Sequence, residues 1–147
     1  MTVDHEPLEP QESPGLLLWR VTLRWKREIV AALAPLELTH AQFVLLASSW
    51  WLGRNGEHAP TQRAVAEQAG TDPMMTSQVL RALERRGLLT REPDPTDARS
   101  RRVVVTAAGA ELAPRAIGVV EAVDHGFFSG ARTDELLHTL RRLDAPR

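Results

Sequence analysis

The sequence predicts a mainly α-helical protein that carries one small β-hairpin. Apolar residues recur at helical spacing in six segments, and the third and fourth of these are joined by a three-residue turn that contains Gly70. Two short runs with β-branched and apolar residues follow the fourth segment and indicate the hairpin. With 147 residues, the chain has room for about one domain and enough length to bury a core.

The first two helices are predicted on either side of a proline. Apolar residues spaced three and four apart indicate a helix over residues 15–36, and Pro35 marks its end. A second helix is predicted to follow Thr39 and to run to Gly53. Thr39 and Gln42 have the spacing of a capping box, which fixes the start of this helix.

The third and fourth helices form a predicted helix-turn-helix motif. Thr61 is expected to cap a short helix that ends at Gly70. Asp72 is expected to cap the next helix, with Pro73 in its first turn, where a missing N–H costs nothing. This fourth helix is predicted to end at Arg86, before a glycine that suits the position after a helix.

The hairpin is predicted from two short strands, residues 88–92 and 102–106. The connection between them, residues 93–101, is longer than the usual hairpin loop. We therefore expect this connection to have a function of its own.

Two more helices complete the predicted fold. Thr106 is expected to cap a long helix over residues 107–128, in which Pro114 should cause a kink or an irregular start. Thr133 is expected to cap the last helix. The apolar face of that last helix consists of Leu136, Leu137, Leu140 and Leu143.

The formal net charge of −1 hides an uneven distribution of charge. Residues 1–14 are acidic and contain proline, so we expect a disordered tail there. From Arg81 to Arg102 there are seven arginines against four acidic residues, a local positive excess that suits phosphate. The near-neutral total therefore does not exclude a nucleic-acid partner.

The composition excludes several other kinds of site. There is no cysteine, and hence no disulfide, thiolate metal site, cysteine nucleophile or cysteine redox switch. No nucleophile–base pair, phosphate-cradling glycine loop or metal cluster is visible, so we expect no enzyme activity, no catalytic residue and no cofactor. The histidines lack close metal spacing; whether a dimer brings His40, His125 and His138 together into a metal site is left open. An acidic N-terminus and the lack of a long apolar run favour a cytoplasmic protein without a membrane segment.

The exposed face of the fourth helix carries side chains that can read DNA. Thr76, Val79, Leu80 and Leu83 fall at helical spacing and define its buried face. On the other face, glutamine can bond adenine, arginine can bond guanine or phosphate, and methionine can touch a thymine methyl group. The alternative is an ordinary amphipathic surface helix. The DNA-binding residues predicted in this motif are Thr61, Thr71, Pro73, Met74, Met75, Ser77, Gln78, Arg81 and Arg85.

The hairpin connection favours DNA binding over that alternative. Two prolines and two aspartates stiffen it, and three arginines follow within four residues. An arginine held at such a tip suits a narrow, electronegative minor groove, whereas the alternative is a solvated basic turn. Asp97, Arg99 and Arg101 are therefore predicted to bind DNA, and Asp97 is expected to pair with Arg99 or to cap the turn.

Residues 94–109 resemble the wing signature of the MarR (multiple-antibiotic-resistance regulator) family of winged helix-turn-helix transcriptional regulators. In that family an Asp-x-Arg wing leads to a Leu-Thr-x-x-Gly helix start. The sequence Asp97-Ala98-Arg99 matches the wing, and residues 105–109 (VTAAG) match the helix start with valine for leucine. Residues 83–89 (LERRGLL) are similar to the family's recognition-helix exit, and residues 65–70 (VAEQAG) to the preceding helix. The resemblance covers about residues 15–143.

The resemblance implies a winged helix-turn-helix lobe over residues 37–106 and a helical dimerisation region over residues 15–36 and 107–147. It implies a homodimer that binds double-stranded DNA at a palindromic operator, more often as a repressor than as an activator. Ala82 stands where a basic residue is common in the family, which puts one phosphate contact in doubt. The alternative function is a winged-helix protein–protein interaction module that does not bind DNA.

The resemblance also implies a small aromatic or carboxylate effector, bound between the dimerisation helices and the DNA-binding lobe. Helical geometry lets at most two of the four tryptophans share one wall of such a site. The alternative, core and dimer packing, is the interpretation that we favour for these side chains. The candidate effector residues are Trp19, Arg20, Trp25, Trp50 and Trp51.

Overall fold

The computed structural model describes residues 5–146 and has the predicted mainly α-helical architecture with one antiparallel hairpin. Single 3-10 turns cover Pro10–Glu12 and Ala34–Leu36. The first four residues of the expected acidic tail, and Arg147 at the end of the expected dimerisation region, lie outside the described residues. In chain order the elements are α1 (Pro14–Leu33), α2 (His40–Asn55), α3 (Gln62–Ala69), α4 (Pro73–Arg85), β1 (Leu89–Asp94), β2 (Asp97–Val105), α5 (Ala107–Phe127) and α6 (Thr133–Asp144).

Side-chain caps begin the helices at the predicted places. Thr39 Oγ1 accepts the N–H of Gln42 at 3.1 Å, and Gln42 Oε1 accepts the N–H of Thr39 at 3.1 Å, which is the capping box expected for α2. Asp72 Oδ1 accepts the N–H of Met75 at 2.8 Å at the start of α4. Each cap satisfies an N–H that the helix cannot pair internally. The predicted caps of α3 and α5, Thr61 and Thr106, are confirmed as well.

One apolar core joins the end of α1 to the helix-turn-helix and the hairpin. Thr76, Leu80 and Leu83 of α4 are fully buried in it and Val79 is half-buried, which confirms the predicted inner face. The opposite face of α4 is therefore directed to solvent. The large apolar side chains that are fully buried are Ile29, Leu33, Leu45, Leu46, Val65, Leu80, Leu83, Leu89 and Val103.

The prediction of a long connection over residues 93–101 was wrong, because most of these residues belong to the two β-strands. β1 extends to Asp94 and β2 begins at Asp97, so only Pro95 and Thr96 lie between them. The register passes from Pro93 opposite Arg101 to Asp94 opposite Asp97, which leaves residues 98–100 without counterparts on β1. The arginines near the tip thus lie on a strand with a local irregularity. Alternation of polar and apolar residues could not reveal this strand, because it projects beyond the core.

Several helix boundaries also differ from the sequence prediction, including the end of α2, which is Asn55 instead of Gly53. α1 ends at Leu33, because the 3-10 turn that contains Pro35 follows directly. Thr133 does not cap α6 but is its first residue; the N-cap is Arg132, which makes no side-chain cap hydrogen bond. Arg132 instead forms an exposed ion pair of 3.1 Å with Glu135. The long helix α5 runs continuously through Pro114.

α6 and the first half of α1 have little to pack against within one chain. No residue of α6 is buried, and Leu143 is 72% exposed. On α1, Leu18 and Trp19 are 57% and 64% exposed. Contiguous exposed apolar side chains of this kind are typical of surfaces that contact another protein, a membrane or a ligand.

Within residues 5–146, no single helix is long and apolar enough to cross a membrane. The bent pair Pro14–Leu36 and His40–Asn55, with 73° between its parts, meets the requirement by length and composition only.

Candidate nucleic-acid interface

The solvent face of α4 carries the side chains predicted to read bases. Met74, Gln78, Arg81 and Arg85 are all exposed, and their spacing places them in one stripe along the helix. Met74 is 73% exposed, so its side chain is available for contact with a partner. Arg81 Nη2 donates to Ser77 Oγ at 3.3 Å. The structure therefore brings together, on one helix face, the residue types that can contact base edges.

The wing consists of β1, β2 and the turn between them, and its tip is held by two aspartates. Asp94 Oδ1 accepts the backbone N–H of Thr96 at 3.0 Å and the Thr96 hydroxyl at 2.9 Å. These hydrogen bonds, with the nearby Arg102 guanidinium, hold the pKa of Asp94 below its usual value. Asp97 Oδ1 accepts the backbone N–H of Arg99 at 2.9 Å. Asp97 thus caps the turn, which is one of the two roles expected for it.

The base of the wing is tied to the rest of the lobe by Arg102. Its Nη1 donates to the carbonyl of Ala59 at 2.6 Å, and its Nη2 lies 3.4 Å from Asp94 Oδ1. The backbone N–H of Val103 donates to the carbonyl of Pro60 at 2.8 Å. Arg102 is therefore a structural arginine, whereas Arg99 and Arg101 stay exposed on the wing.

A cleft of about 810 Å³, called the wing cleft here, separates the wing from α3 and the first turn of α4. It brings together half of the predicted DNA-binding residues, which come from both sides of it. The helix-turn-helix side contributes Thr71, Pro73 and Ser77, and the wing contributes Asp97, Arg99 and Arg101.

Two predicted DNA-binding residues use their hydroxyl groups inside the protein. Thr76 donates its hydroxyl proton to the carbonyl of Asp72 at 2.7 Å, so Thr71, whose Oγ1 lies 2.7 Å from Thr76 Oγ1, donates to Thr76. Thr71 has no free proton for a phosphate oxygen in this arrangement. Thr61 Oγ1 accepts the N–H of Ala64 at 3.1 Å as the cap of α3, which leaves its own proton available.

Besides Glu67, which forms an ion pair with Arg63, the sequence prediction missed four polar residues that line the wing cleft. Gln62 and Arg63 begin α3, directly after the predicted Thr61, and Ser100 lies between two predicted arginines. Arg91 projects from β1 and was counted only in the local charge excess. Gln62, Arg63 and Ser100 could have been found because they adjoin predicted residues in the sequence. The position of Arg91 could not, because it depends on how the hairpin packs on α4.

The candidate effector residues do not form one site within a single chain. Trp25 lines a cavity of about 820 Å³ between α1, the end of α5 and α6. Trp50 lines a separate cavity of about 250 Å³ between α2 and β2, where Arg54 lies 5.1 Å above its ring. Neither cavity is lined by the other candidates, which are Trp19, Arg20 and Trp51.

The junction of α1, α2 and α5 holds His40 close to Trp25. The two rings meet edge to face with 5.1 Å between their centroids. Burial, together with the charge of Lys26, lowers the pKa of His40, while Asp124 acts in the opposite direction. In the described part of the chain, no three His, Asp or Glu side chains are grouped so that they could hold a metal ion.

Comparison with known proteins agrees with this geometry. The model of the MarR family matches residues 38–100. The HTH-type transcriptional regulator YdcH of Bacillus subtilis is 40% identical over 126 residues, which is 86% of this chain and 85% of YdcH. The HTH-type transcriptional repressor Rv2887 of Mycobacterium tuberculosis is 37% identical over 112 residues, with 75% of this chain and 76% of Rv2887 covered.

Among solved structures, BpsR of Bordetella bronchiseptica has a similar fold. It superposes with a TM-score of 0.83 at 28% identity, covering 96% of this chain and 100% of BpsR. That structure concerns the regulation of BpsR's DNA binding by 6-hydroxynicotinic acid. The winged helix-turn-helix architecture is thus shared over nearly the whole chain.

Proposed function

Because this chain belongs to the MarR family of DNA-binding transcriptional regulators, we propose that it is a homodimeric repressor of a palindromic operator. In this proposal α4 enters the major groove and the wing reaches the adjacent minor groove. The observation that carries it is the wing cleft, where the first turn of α4 faces Arg99 and Arg101 of the wing. One relative, Rv2887 of Mycobacterium tuberculosis, is named a transcriptional repressor, which supports repression rather than activation.

The exposed apolar surfaces of α1 and α6 support the homodimer. α6 has no buried residue, and three of its four leucines line the same cavity as Leu18 and Val21 of α1. A second copy of this chain would cover both surfaces through a two-fold interface, in which each chain contributes the same patch. Residues 15–36 and 107–147 then form the dimerisation region, and residues 37–106 the DNA-binding lobe.

A two-fold dimer determines the form of the operator. Its two α4 helices would enter successive major grooves, about one helical turn or 34–36 Å apart. Gln78, Arg81 and the two methionines would read bases, and Arg85, Arg99 and Arg101 would supply most of the charge.

A small aromatic carboxylate is the effector class that we propose. The cavity of about 820 Å³ that contains Trp25 is large enough for one, and it is lined by the α1 and α6 side chains proposed for the dimer interface, so a bound molecule would lie within that interface. The DNA binding of BpsR is regulated by 6-hydroxynicotinic acid, which belongs to this class. A bound molecule there would contact both α1 and the end of α5, whose positions determine the separation of the two lobes.

Footprinting on the DNA upstream of the protein's own gene tests the proposal. We expect a protected site with two-fold symmetry and release of the DNA by one compound in a panel of aromatic carboxylates. A protein that protects no upstream DNA but binds another protein in a salt-insensitive manner would instead be a winged-helix interaction module. Protection of a single asymmetric half-site would contradict the homodimer.

A further inference from the structure

Arg91 lies at the base of the wing cleft, where a carboxylate fixes its position. Glu84 of α4 accepts the backbone N–H of Arg91 at 2.9 Å through Oε2, and Arg91 Nη2 at 3.3 Å through Oε1. Because one carboxylate holds both the backbone and the side chain, the guanidinium has little freedom to turn away. The side chain of Arg91 is only 19% exposed.

The pairing with Glu84 leaves most of the guanidinium unpaired. A guanidinium has five N–H donors, and Glu84 takes a donor of Nη2 only. Arg91 Nε is buried and has no hydrogen-bond partner in residues 5–146. Nη1 also makes no side-chain hydrogen bond in that range, and Arg91 lines the wing cleft.

Gln62 supplies a second unpaired polar group on the same cleft. Its Oε1 is buried and lacks a partner among the described residues, like Arg91 Nε. Buried polar atoms in proteins nearly always have a partner, so two such atoms on one cleft are unusual. One is a donor and the other an acceptor; a group that only accepts hydrogen bonds would therefore pair with the guanidinium of Arg91 and not with Gln62 Oε1.

DNA would bring a phosphate to the wing cleft. A strand backbone separates each major groove from the adjacent minor groove, so a protein with α4 in one and the wing in the other receives that backbone between them. The wing cleft is the space between α4 and the wing. Arg99 and Arg101 on its outer side would draw the backbone inward.

We propose that Arg91 binds the backbone phosphate that passes between α4 and the wing. Nη1 donates to the phosphate, Glu84 holds the guanidinium in place, and Gln62 borders the same cleft. This inference rests on the proposed function. It adds a phosphate contact at the centre of each half-site, where neither the base-reading stripe of α4 nor the wing tip reaches.

Neutral phosphate analogues test the contact at a single position. Operator duplexes each carry one methylphosphonate in one half-site, and the dissociation constant of the full-length protein is measured by fluorescence anisotropy. For the wild type we expect one position between the two grooves at which the neutral linkage weakens binding about tenfold, because a charge-assisted hydrogen bond is lost. Arg91→Gln should weaken binding to the unmodified operator by about the same factor, and the neutral linkage at that position should then have almost no further effect.

Two further variants separate a phosphate contact from a purely structural tie. Glu84→Gln removes the ion pair but keeps the guanidinium, so it should cost less than Arg91→Gln and keep the sensitivity to the same linkage. Arg54→Gln, a charge change on the exposed surface of α2 outside the wing cleft and the dimerisation region, should leave affinity and sensitivity unchanged. If Arg91→Gln does not fold by circular dichroism, Arg91→Lys replaces it and should reduce the sensitivity at that one position, because an ammonium group is a poorer match to phosphate geometry.

Three outcomes would overturn the inference. The first is that Arg91→Gln and the neutral linkages act independently at every position, or that Arg91→Lys, where it is used, keeps full sensitivity at every position. The second is that Glu84→Gln costs as much as Arg91→Gln, with no position-specific effect for either, which would make Arg91 a wing anchor only. The third is that the wild type fails to bind any operator; the proposed function and this inference would then fall together, whereas operator binding without the position-specific effect removes the inference alone.

Discussion

The indole N–H of Trp25 donates a hydrogen bond of 2.7 Å to Asp124 Oδ1, which joins α1 to α5 across 99 residues of sequence. His40, the first residue of α2, packs its ring against the same indole. The contact therefore lies where the proposed dimerisation helices meet the proposed DNA-binding lobe. It gives Trp25 a structural role in addition to its place in the cavity wall.

Replacing Trp25 with phenylalanine should destabilise the fold by about 1–3 kcal/mol, because a hydrogen bond to a charged group is lost and Asp124 is left half-buried without its donor. Asp124→Asn should cost less, because its amide oxygen can still accept the indole N–H. Urea unfolding at one fixed protein concentration measures both changes. Equal stability of Trp25→Phe and the wild type would show that the hydrogen bond does not join the two helices.

Replacing Leu140 with aspartate should convert the proposed homodimer into a monomer. Leu140 is 42% exposed in the single chain, and the proposed partner would surround an unpaired carboxylate there with apolar side chains. His138 lies on the opposite side of α6, so His138→Asp is the matched control and should stay dimeric. Analytical ultracentrifugation distinguishes the two states. A dimeric Leu140→Asp variant would place the interface elsewhere.

The turn at the wing tip should lose stability only in strong acid. The hydrogen bonds from Thr96, chiefly that of its backbone N–H, lower the pKa of Asp94 below its ordinary 3.8 in the folded protein. A lowered folded-state pKa means that the stabilisation is present above pH 3.8 and is lost as the pH falls through the lower folded value. The amide NMR signal of Thr96 should therefore titrate with a midpoint below 3.8, and Asp94→Asn should abolish that titration. A midpoint at or above 3.8 would contradict these hydrogen bonds.

Replacing Gln78 with alanine should reduce the preference for the operator more than the affinity for DNA in general. Losing a bidentate base contact costs about 1–3 kcal/mol at one base pair, or about tenfold or more in affinity for the operator. Affinity for random DNA of equal length should change little, because phosphates dominate that binding. Gln68→Ala, an exposed change on α3 outside the wing cleft, serves as the control. Equal losses on operator and random DNA would show that Gln78 reads no base.

The sequence was sufficient for the parts of the fold that depend on local chemistry. Thr106 both caps α5 and donates its hydroxyl to the carbonyl of Gly87 at 2.6 Å. Glycine is required three residues later, at Gly109, because a Cβ there would clash with the carbonyl oxygen of Leu88. The Thr-x-x-Gly signature is thus the join between the wing and α5, which explains why it identified the fold. Helical spacing also predicted that Trp19 and Trp25 lie on different sides of α1, and in the structure Trp25 lines the cavity whereas Trp19 does not.

What the sequence could not supply depends on contacts between distant residues. The role of Arg91 follows from Glu84, which lies on a different element, and from a cleft that exists only once the hairpin packs on α4. The extent of β2 was missed because residues 97–101 are polar on both faces of a projecting ribbon. Thr71 was predicted to bind DNA because its hydrogen bond to Thr76 cannot be recognised from the sequence.

The salt dependence of operator binding tests the central claim most directly, namely that α4 and the wing form a DNA interface. Affinities of the wild type and Arg99→Ala are measured on the operator and on random DNA over a range of salt concentrations, with Arg54→Ala on α2 as the charge control. We predict operator preference by the wild type, a log–log salt slope of about −0.9 per phosphate contact, and strongly weakened operator binding by a folded Arg99→Ala variant. Unchanged affinity of Arg99→Ala, or wild-type binding that is insensitive to salt and equal on both DNAs, would contradict the account.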